Sequence, residues 1–353
     1  MKIAFFGSSL VSAFWNGAAT YYRGIIKALH AHGHRITFYE PDAYDRQAHR
    51  DIQDPAWARI VVYANSEAGV DSALDDAFGS DLLVKASGVG VFDEYLEKEV
   101  LLARCNGSQA IFWDVDAPAT LDRMHLNAED PFRTLVSKYN LILTYGGGKP
   151  VIDAYGRFGA KKCVPIYNAL DPSTHFPVPV DPRYRGDLGF LGNRLPDRES
   201  RVEDFFLTAA EALPQTKFLL GGSGWSGKPL PANVINLGHV YTGDHNAFNS
   251  SLKAILNISR DSMARYGFCP ATRVFEAAGA AACIITDAWA GIELFLKPGT
   301  EILTAQSGRD VVEILKNLTL EEARSIGQKA RQRILREHTY SRRAEQVESL
   351  LNA

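Results

Sequence analysis

The sequence predicts an α/β protein made of two Rossmann-like domains, each a parallel sheet covered by helices. Three observations carry this. A chain of 353 residues exceeds the size at which one hydrophobic core usually stops growing. Short apolar runs alternate with longer amphipathic segments, as parallel strands joined by crossover helices do. A proline-bearing stretch then interrupts the alternation, which restarts beyond it.

In the first half the expected strands are Lys2–Phe6, Arg35–Tyr39, Asp81–Lys85, Gln109–Trp113, Leu141–Thr144 and Cys163–Ile166. Between the first two, Tyr22, Ile25, Ile26 and Leu29 recur at helical spacing and Gly33 stands where a helix C-cap belongs. That is one βαβ unit. Residues 171–185 contain Pro172, Pro177, Pro179 and Pro182, which suit neither helix nor central strand, so this segment reads as the interdomain linker. The second half offers strand Leu188–Leu191, a helix over about 199–213, and strands Lys217–Leu220, Val234–Leu237 and Ala254–Ile258. A helix through Thr272–Ala280, strands Cys283–Thr286 and Glu301–Leu303, and helices over most of 308–351 complete it. The expected division is a first domain over 1–170, a linker over 171–185, a second domain over 186–337 and a terminal helix over 338–353. Ala344, Val347, Leu350 and Leu351 make that helix amphipathic; it packs either on its own domain or back on the first.

Composition narrows the function classes. The chain is 46% hydrophobic and 22% charged with a net charge of −3. Its Lys and Arg are scattered, which argues against a nucleic-acid partner, and no run approaches the roughly 18 apolar residues of a membrane span. Cys105, Cys163, Cys269 and Cys283 lie far apart without a Cys-x-x-Cys pair, against a zinc site or disulfide framework and in favour of a reducing cytoplasm. The apolar start is broken by Gly7-Ser8-Ser9 without a small-x-small cleavage site, so no export signal is expected.

The most informative stretch runs from Ser259 to Ala280. Pro270 and Thr272 are helix-start residues, which puts Arg273 and Glu276 near a helix N-terminus and, three apart, on one face. A diphosphate there would meet unpaired backbone N–H groups, the positive end of the helix and a guanidinium, while Glu276 could accept bonds from ribose hydroxyls. The alternative is a surface ion pair. At Gly192-Asn193 a strand ends and Arg194 and Arg198 follow; they either neutralise a phosphate leaving group without a metal or are solvated. Gly222 and Gly238-His239 also follow strands and so open on the same sheet edge, with His239 equally suited to a structural hydrogen bond. The glycine-rich piece lacks the Lys-Ser/Thr ending of a phosphate-binding P-loop.

In the first half, Gly7, Asn16 and Gly17 lie between the first strand and its helix, without the Gly-x-Gly-x-x-Gly spacing of a dinucleotide fingerprint. Gly146-Gly147-Gly148-Lys149 is a cleft loop or a simple turn. Asp114 and Asp116 end a strand and either take an acceptor proton or cap the next helix; Asp116, further beyond the strand, is the better candidate. Their spacing also suits a metal-binding Asp-x-Asp, but arginines stand where phosphates belong, so no metal is expected.

The passage Pro270-x-Thr272-Arg273-x-Phe275-Glu276-Ala277-Ala278-Gly279, the Thr286-Asp287 strand end, Gly291-Ile292-Glu293-Leu294-Phe295, Pro298-Gly299-x-Glu301-Ile302-Leu303 and the tail His338-Thr339-Tyr340-Ser341-x-Arg343 together resemble GT-B glycosyltransferases, and most closely their CgeB-like, spore-maturation branch. The resemblance spans most of the chain and is most specific in the C-terminal half. It implies two sheets facing across a cleft, a nucleoside-diphosphate sugar, in the first place a UDP-sugar, as donor, and no separate cofactor. It further implies hexosyl transfer with retention to a glycan, lipid-linked or protein acceptor. The catalytic candidates are Arg273, by that resemblance, and Asp114 and Asp116, by their place at the end of a strand. Gly192, Asn193, Arg194, Arg198, Gly222, Gly238, His239 and Glu276 would hold the donor, and Gly7, Asn16 and Gly17 would line the sugar and acceptor loop. Many retaining members carry two glutamates seven residues apart; here Phe268 replaces the first. A non-catalytic nucleotide-sugar or glycan binder and a sugar-nucleotide epimerase are the alternatives.

Overall fold

The computed structural model describes residues 1–352, apart from the side chain of Ser262. The chain forms two compact units, residues 1–167 with 340–353, and residues 168–339. In the first unit, β1 (Lys2–Phe6), α1 (Ala19–Ala31), β2 (Arg35–Pro41), β3 (Arg59–Tyr63), α2 (Glu67–Asp76), β4 (Leu82–Ala86), α3 (Asp93–Leu102), β5 (Gln109–Asp114), α4 (Ala117–Leu126), β6 (Leu141–Thr144), α5 (Gly148–Arg157) and β7 (Cys163–Pro165) follow in order. The strands make a parallel sheet in the order β3-β2-β1-β4-β5-β6-β7. Strand β1 lies inside the sheet, between β2 and β4, so both faces must be apolar: Ile3, Ala4, Phe5 and Phe6 are all buried. The Phe5 ring stacks on Phe38 with centroids 5.3 Å apart and meets Tyr22 of α1 edge-on.

The second unit contains β8 (Gly186–Leu191), α6 (Glu199–Val202), a π turn over Glu203–Leu207, α7 (Thr208–Ala212), β9 (Phe218–Gly221), β10 (Val234–Gly238), α8 (His245–Ser251), β11 (Leu252–Asn257), α9 (Asp261–Tyr266), α10 (Thr272–Gly279), β12 (Ile284–Asp287), β13 (Leu303–Ala305), α11 (Gly308–Asn317) and α12 (Leu320–Glu337). Its parallel sheet runs β10-β9-β8-β11-β12-β13. Leu188, Phe190, Phe206, Phe218, Leu220, Leu256 and Ile285 form its core. No helix among the described residues is long and apolar enough to cross a membrane.

Several expectations need correction. The chain passes between the units at 167/168 and 339/340, and the proline stretch 171–185 is not a linker but part of the second unit. Its backbone N–H groups replace strand pairing with side-chain bonds from around α8: Phe176 N to Asn246 Oδ1 at 3.2 Å, Val178 N to Ser250 Oγ at 3.2 Å and Asp181 N to Ser251 Oγ at 2.8 Å. The strand expected at Glu301–Leu303 begins at Leu303, because Glu301 closes a turn, its carboxylate accepting from Lys297 N at 2.7 Å. The expected single helix at 199–213 is interrupted by the π turn, and β3 is an additional edge strand.

The terminal helix, α13 (Tyr340–Leu351), belongs to the first unit and lies against α1. Gly24 permits the approach: a Cβ there would stand 2.2 Å from the Tyr340 ring. Glu348 binds His32 at 3.0 Å and His34 at 2.8 Å.

Candidate functional site

The carboxyl ends of β8, β9 and β10 are joined by backbone hydrogen bonds beyond the strands. Gly192 N donates to Gly221 O at 2.8 Å and Gly222 N to Gly238 O at 2.7 Å. Trp225 Nε1 donates to Gly192 O at 2.8 Å, and Ser223 N to Asn193 Oδ1 at 2.9 Å. Gly222 has φ +127°, and a Cβ there would stand 2.2 Å from Gly192 O; only glycine fits both conditions. These loops floor a cleft of about 330 Å³, lined among others by Gly192, Asn193, Arg198, Gly222, His239, His245, Arg273 and Glu276.

Two arginines converge on that floor. A Cβ built on Gly192 would meet Arg198 Nη2 at 2.9 Å and Arg273 Nη2 at 3.0 Å. Both guanidinium groups also lie against the Phe190 ring, at 5.4 and 5.3 Å from its centroid. Arg198 is only 9% exposed. Its Nη2 donates to Asn193 O at 2.6 Å, while its Nε has no hydrogen-bond partner among the described residues. Arg273 Nη1 reaches Asn257 Oδ1, at the end of β11, at 3.4 Å. Desolvation and then the neighbouring Arg198 charge push Arg273 down to about 10, with Glu276 opposing, so it stays charged at neutral pH. Arg198 is also lowered, chiefly by burial. Two like charges held together with a buried donor unpaired make a site in want of an anion. Arg273 extends from the first turn of α10, where backbone N–H groups and the helix dipole add to the positive field.

Glu276 lies one turn further along α10. His175 Nε2 is 3.9 Å from its Oε1, and the His175 and His245 ring centroids are 6.4 Å apart. Burial lowers the His245 pKa; Glu276 opposes this and His175 adds to it. Asn168 Nδ2 donates to Pro270 O at 3.3 Å and Thr272 Oγ1 at 3.4 Å, tying down the start of α10.

The structure therefore brings together Gly192, Asn193, Arg198, Gly222, His239, Arg273 and Glu276. It does not bring Arg194 with them: that side chain turns to Glu199 at 2.7 Å, which also holds Lys228 at 2.8 Å. Gly238 supports the floor through its carbonyl, and His239, exposed at the rim, packs edge-on against Tyr241 at 4.7 Å. Phe268 has φ +52° and packs over Gly291, where a Cβ would stand 2.2 Å from its ring.

In the first unit, Asp114 is completely buried and accepts from Ser87 Oγ at 2.7 Å, Thr120 Oγ1 at 3.0 Å, Asp116 N at 3.0 Å and the Tyr155 hydroxyl. Burial raises its pKa against those four donors. Such a carboxylate ties β5 to its neighbours and has no opening to a substrate, so the expectation that it faces a ligand is corrected. Asp116 is exposed at the start of α4. Asn16 is buried and holds its own loop, donating to Ser9 O at 2.8 Å and Ser12 O at 3.0 Å and accepting from Ser8 Oγ at 2.9 Å. Gly7 lies under Phe38, where a Cβ would stand 2.5 Å from Phe38 Cζ and clash, whereas Gly17 has open space around it. Gly148 and Lys149 begin α5, and Lys149 pairs with Asp153 at 2.8 Å. A larger hollow of about 890 Å³ in this unit is a weaker candidate, because two of its three cations, Lys98 and Arg123, are already paired with Glu99 and Glu97.

Sequence reasoning missed His175, His245 and Asn257. His175 sits in the proline stretch, where no periodicity marks it, and reaches Glu276 across about a hundred residues of chain. Asn257 had a signal, as the last residue of an apolar strand.

A family described as glycosyl transferase-like matches residues 198–349, less than half of the chain. No curated protein matches the sequence. Among solved structures, sucrose-phosphate synthase from Thermosynechococcus elongatus is similar at a TM-score of 0.71 and 14% identity, covering 100% of this chain and 98% of that one. Anabaena HepE in complex with UDP-glucose is similar at 0.65 and 14%, covering 100% and 99%. An α-glucosyltransferase in complex with UDP is similar at 0.72 and 11%, covering 100% and 99%. Two α/β units with parallel sheets, as in these proteins, make this a GT-B fold.

Proposed function

We propose that this protein is a glycosyltransferase that moves a hexosyl unit from a nucleoside-diphosphate donor, a UDP-sugar, to an acceptor hydroxyl on a glycan, lipid-linked or protein acceptor. The observation that carries the reading is the convergence of Arg198 and Arg273 on Gly192 in front of α10. Solved structures of similar fold hold UDP or UDP-glucose, and the glycosyl transferase-like match covers both arginines.

In this reading the diphosphate lies over Gly192, where no side chain keeps it from the backbone. The β-phosphate gains charge as its bond to the sugar breaks, and two preformed guanidinium groups neutralise it without a metal ion. Glu276 accepts from the ribose. Arg198 Nε, without a hydrogen-bond partner among the described residues, is a donor already desolvated, so little reorganisation accompanies the reaction. The anomeric carbon then bonds to the acceptor oxygen, whose proton is lost; Asp116, not the buried Asp114, is the carboxylate we assign to it. Retention of anomeric configuration is part of the proposal.

The test is product analysis with UDP-, GDP- and dTDP-sugars, with and without an acceptor panel, reading nucleotide release and the anomeric configuration by NMR. UDP-sugar turnover with a retained anomer supports the reading. Conversion of the donor without acceptor would show an epimerase, and donor binding with neither turnover nor hydrolysis a binding protein, the second reading to which Phe268 in place of an acid points.

A further inference from the structure

His175, His245 and Glu276 come from the proline stretch, the start of α8 and the first turns of α10. One ligand atom from each lies within 4.8 Å of the others. The orientation of the His175 ring follows from its neighbours. Thr174 donates its one hydroxyl proton to Asp171 O at 3.0 Å, so at 2.9 Å its oxygen accepts from His175 Nδ1–H. A neutral ring protonated at Nδ1 carries its lone pair on Nε2, the atom 3.9 Å from Glu276 Oε1. With Nδ1 turned to Thr174, Nε2 is the nitrogen directed at the carboxylate oxygen, and the two stand beyond hydrogen-bond distance of each other. His245 is held in the same manner. Its ring is hydrogen-bonded to the backbone of Val240 in the sense that favours a ring N–H donor, which leaves the other nitrogen of the neutral ring as an acceptor.

We propose that His175, His245 and Glu276 form a three-ligand site for a divalent transition-metal ion of the zinc class, with a further position open to the cleft. Two imidazole nitrogens and one carboxylate oxygen are a zinc ligand set, and three protein ligands with an open fourth position are what an accessible zinc site uses. Magnesium and calcium select all-oxygen sites instead. The Thr174 hydroxyl and the Val240 backbone act on the two rings as outer partners act on metal-bound histidines, fixing tautomer and orientation. Bonds of about 2.0–2.1 Å in tetrahedral geometry set ligand atoms about 3.3 Å apart. Binding would have to bring the three atoms, now within 4.8 Å of one another, to that spacing by side-chain rotation. The ion is held by Glu276 in the cleft that Arg198 and Arg273 also line; this inference stands on the placement of the three ligands and does not rest on the donor reading, although the two share one carboxylate.

The experiment uses the full untagged chain, stripped with chelator and free of nucleotide, so that failure of donor binding and failure of metal binding are read separately. Zn²⁺, Co²⁺ and Mg²⁺ are titrated by calorimetry, and the visible spectrum of the Co²⁺ form is recorded. The expected result is one Zn²⁺ or Co²⁺ per chain, the intense d–d bands of a four-coordinate Co²⁺ site, and no Mg²⁺ binding. His175→Ala and His245→Ala should each weaken Zn²⁺ at least tenfold, and Thr174→Ala about tenfold as an outer partner, with circular dichroism confirming that the variants fold. Zn²⁺ bound equally well by wild type and His245→Ala, no stoichiometric binding, or a six-coordinate Co²⁺ spectrum would overturn the proposal. The wild-type spectrum decides even if a variant fails to fold.

Discussion

Replacing Gly192 by alanine separates the proposed anion site from the stability of the fold. The backbone at Gly192 is outside the left-handed region, and the atoms a Cβ would press on are Arg198 Nη2 at 2.9 Å, Arg273 Nη2 at 3.0 Å and Phe190 Cζ at 3.1 Å. Two of the three are ends of flexible side chains, so the methyl group displaces both guanidinium groups without breaking a strand. The backbone bonds to Gly221 and Trp225 do not involve the new group, and alanine lowers the entropy of the unfolded chain, so folding stability should stay within about 1 kcal/mol. Each charged hydrogen bond lost to the diphosphate is worth about 1.5–3 kcal/mol. At 1.4 kcal/mol per tenfold in affinity, one lost bond weakens UDP binding roughly 10- to 150-fold. Calorimetric titration with UDP and a thermal melt of the same preparation check this. Unchanged UDP affinity, or a loss of affinity that merely follows a large fall in melting temperature, would refute the reasoning. Gly222→Ala is the contrast: with φ +127° and a carbonyl oxygen 2.2 Å from the new Cβ, it should destabilise the second unit by about 1–3 kcal/mol or more.

Arg194→Ala should leave UDP affinity within about twofold, because that arginine is committed to Glu199 in a surface pair of little energetic weight; Arg198→Ala should lower it at least about tenfold, both read by titration. Gly24→Ala, which drives a Cβ into the Tyr340 ring, should cost about 1–3 kcal/mol in denaturant unfolding. Burial lifts the Asp114 pKa, so the folded state holds that proton more tightly than the unfolded chain. The Asp114 contribution is therefore fully present below the ordinary aspartate range and is lost as pH rises through the raised value. In denaturation between about pH 4 and about pH 7, the stability difference between wild type and Asp114→Asn should shift in favour of the variant as pH rises, with a constant difference as the contrary result.

The strand pattern was legible wherever burial on both faces made a continuous apolar run: β6 at Leu141–Thr144 coincides with its expected bounds, and β1 likewise. Strand β3 was not, because Arg59–Tyr63 is an edge with one exposed side and its run is short. The unit boundary escaped for a related reason. Proline excludes regular structure but does not exclude packing, and 171–185 is anchored by Asn246, Ser250 and Ser251, which only the fold brings near. At the site, Arg273 and Glu276 were readable because their spacing of three places them on one helical face. Arg194 and Arg198 could not be told apart, since which of them turns inward depends on Glu199 and Lys228. Asp114 and Asp116 differ by the end of one strand, and the three hydroxyls that claim Asp114 come from β4–α3, α4 and α5, beyond any local pattern.

The central claim is that Arg198 and Arg273 form a metal-independent seat for a nucleoside diphosphate, and titration of UDP with excess chelator tests it most directly. Wild type should bind one UDP per chain under those conditions, and Arg198→Ala/Arg273→Ala should lose nearly all of that binding while remaining folded. No UDP binding by wild type without a divalent cation, or equal binding by the double variant, would contradict the account.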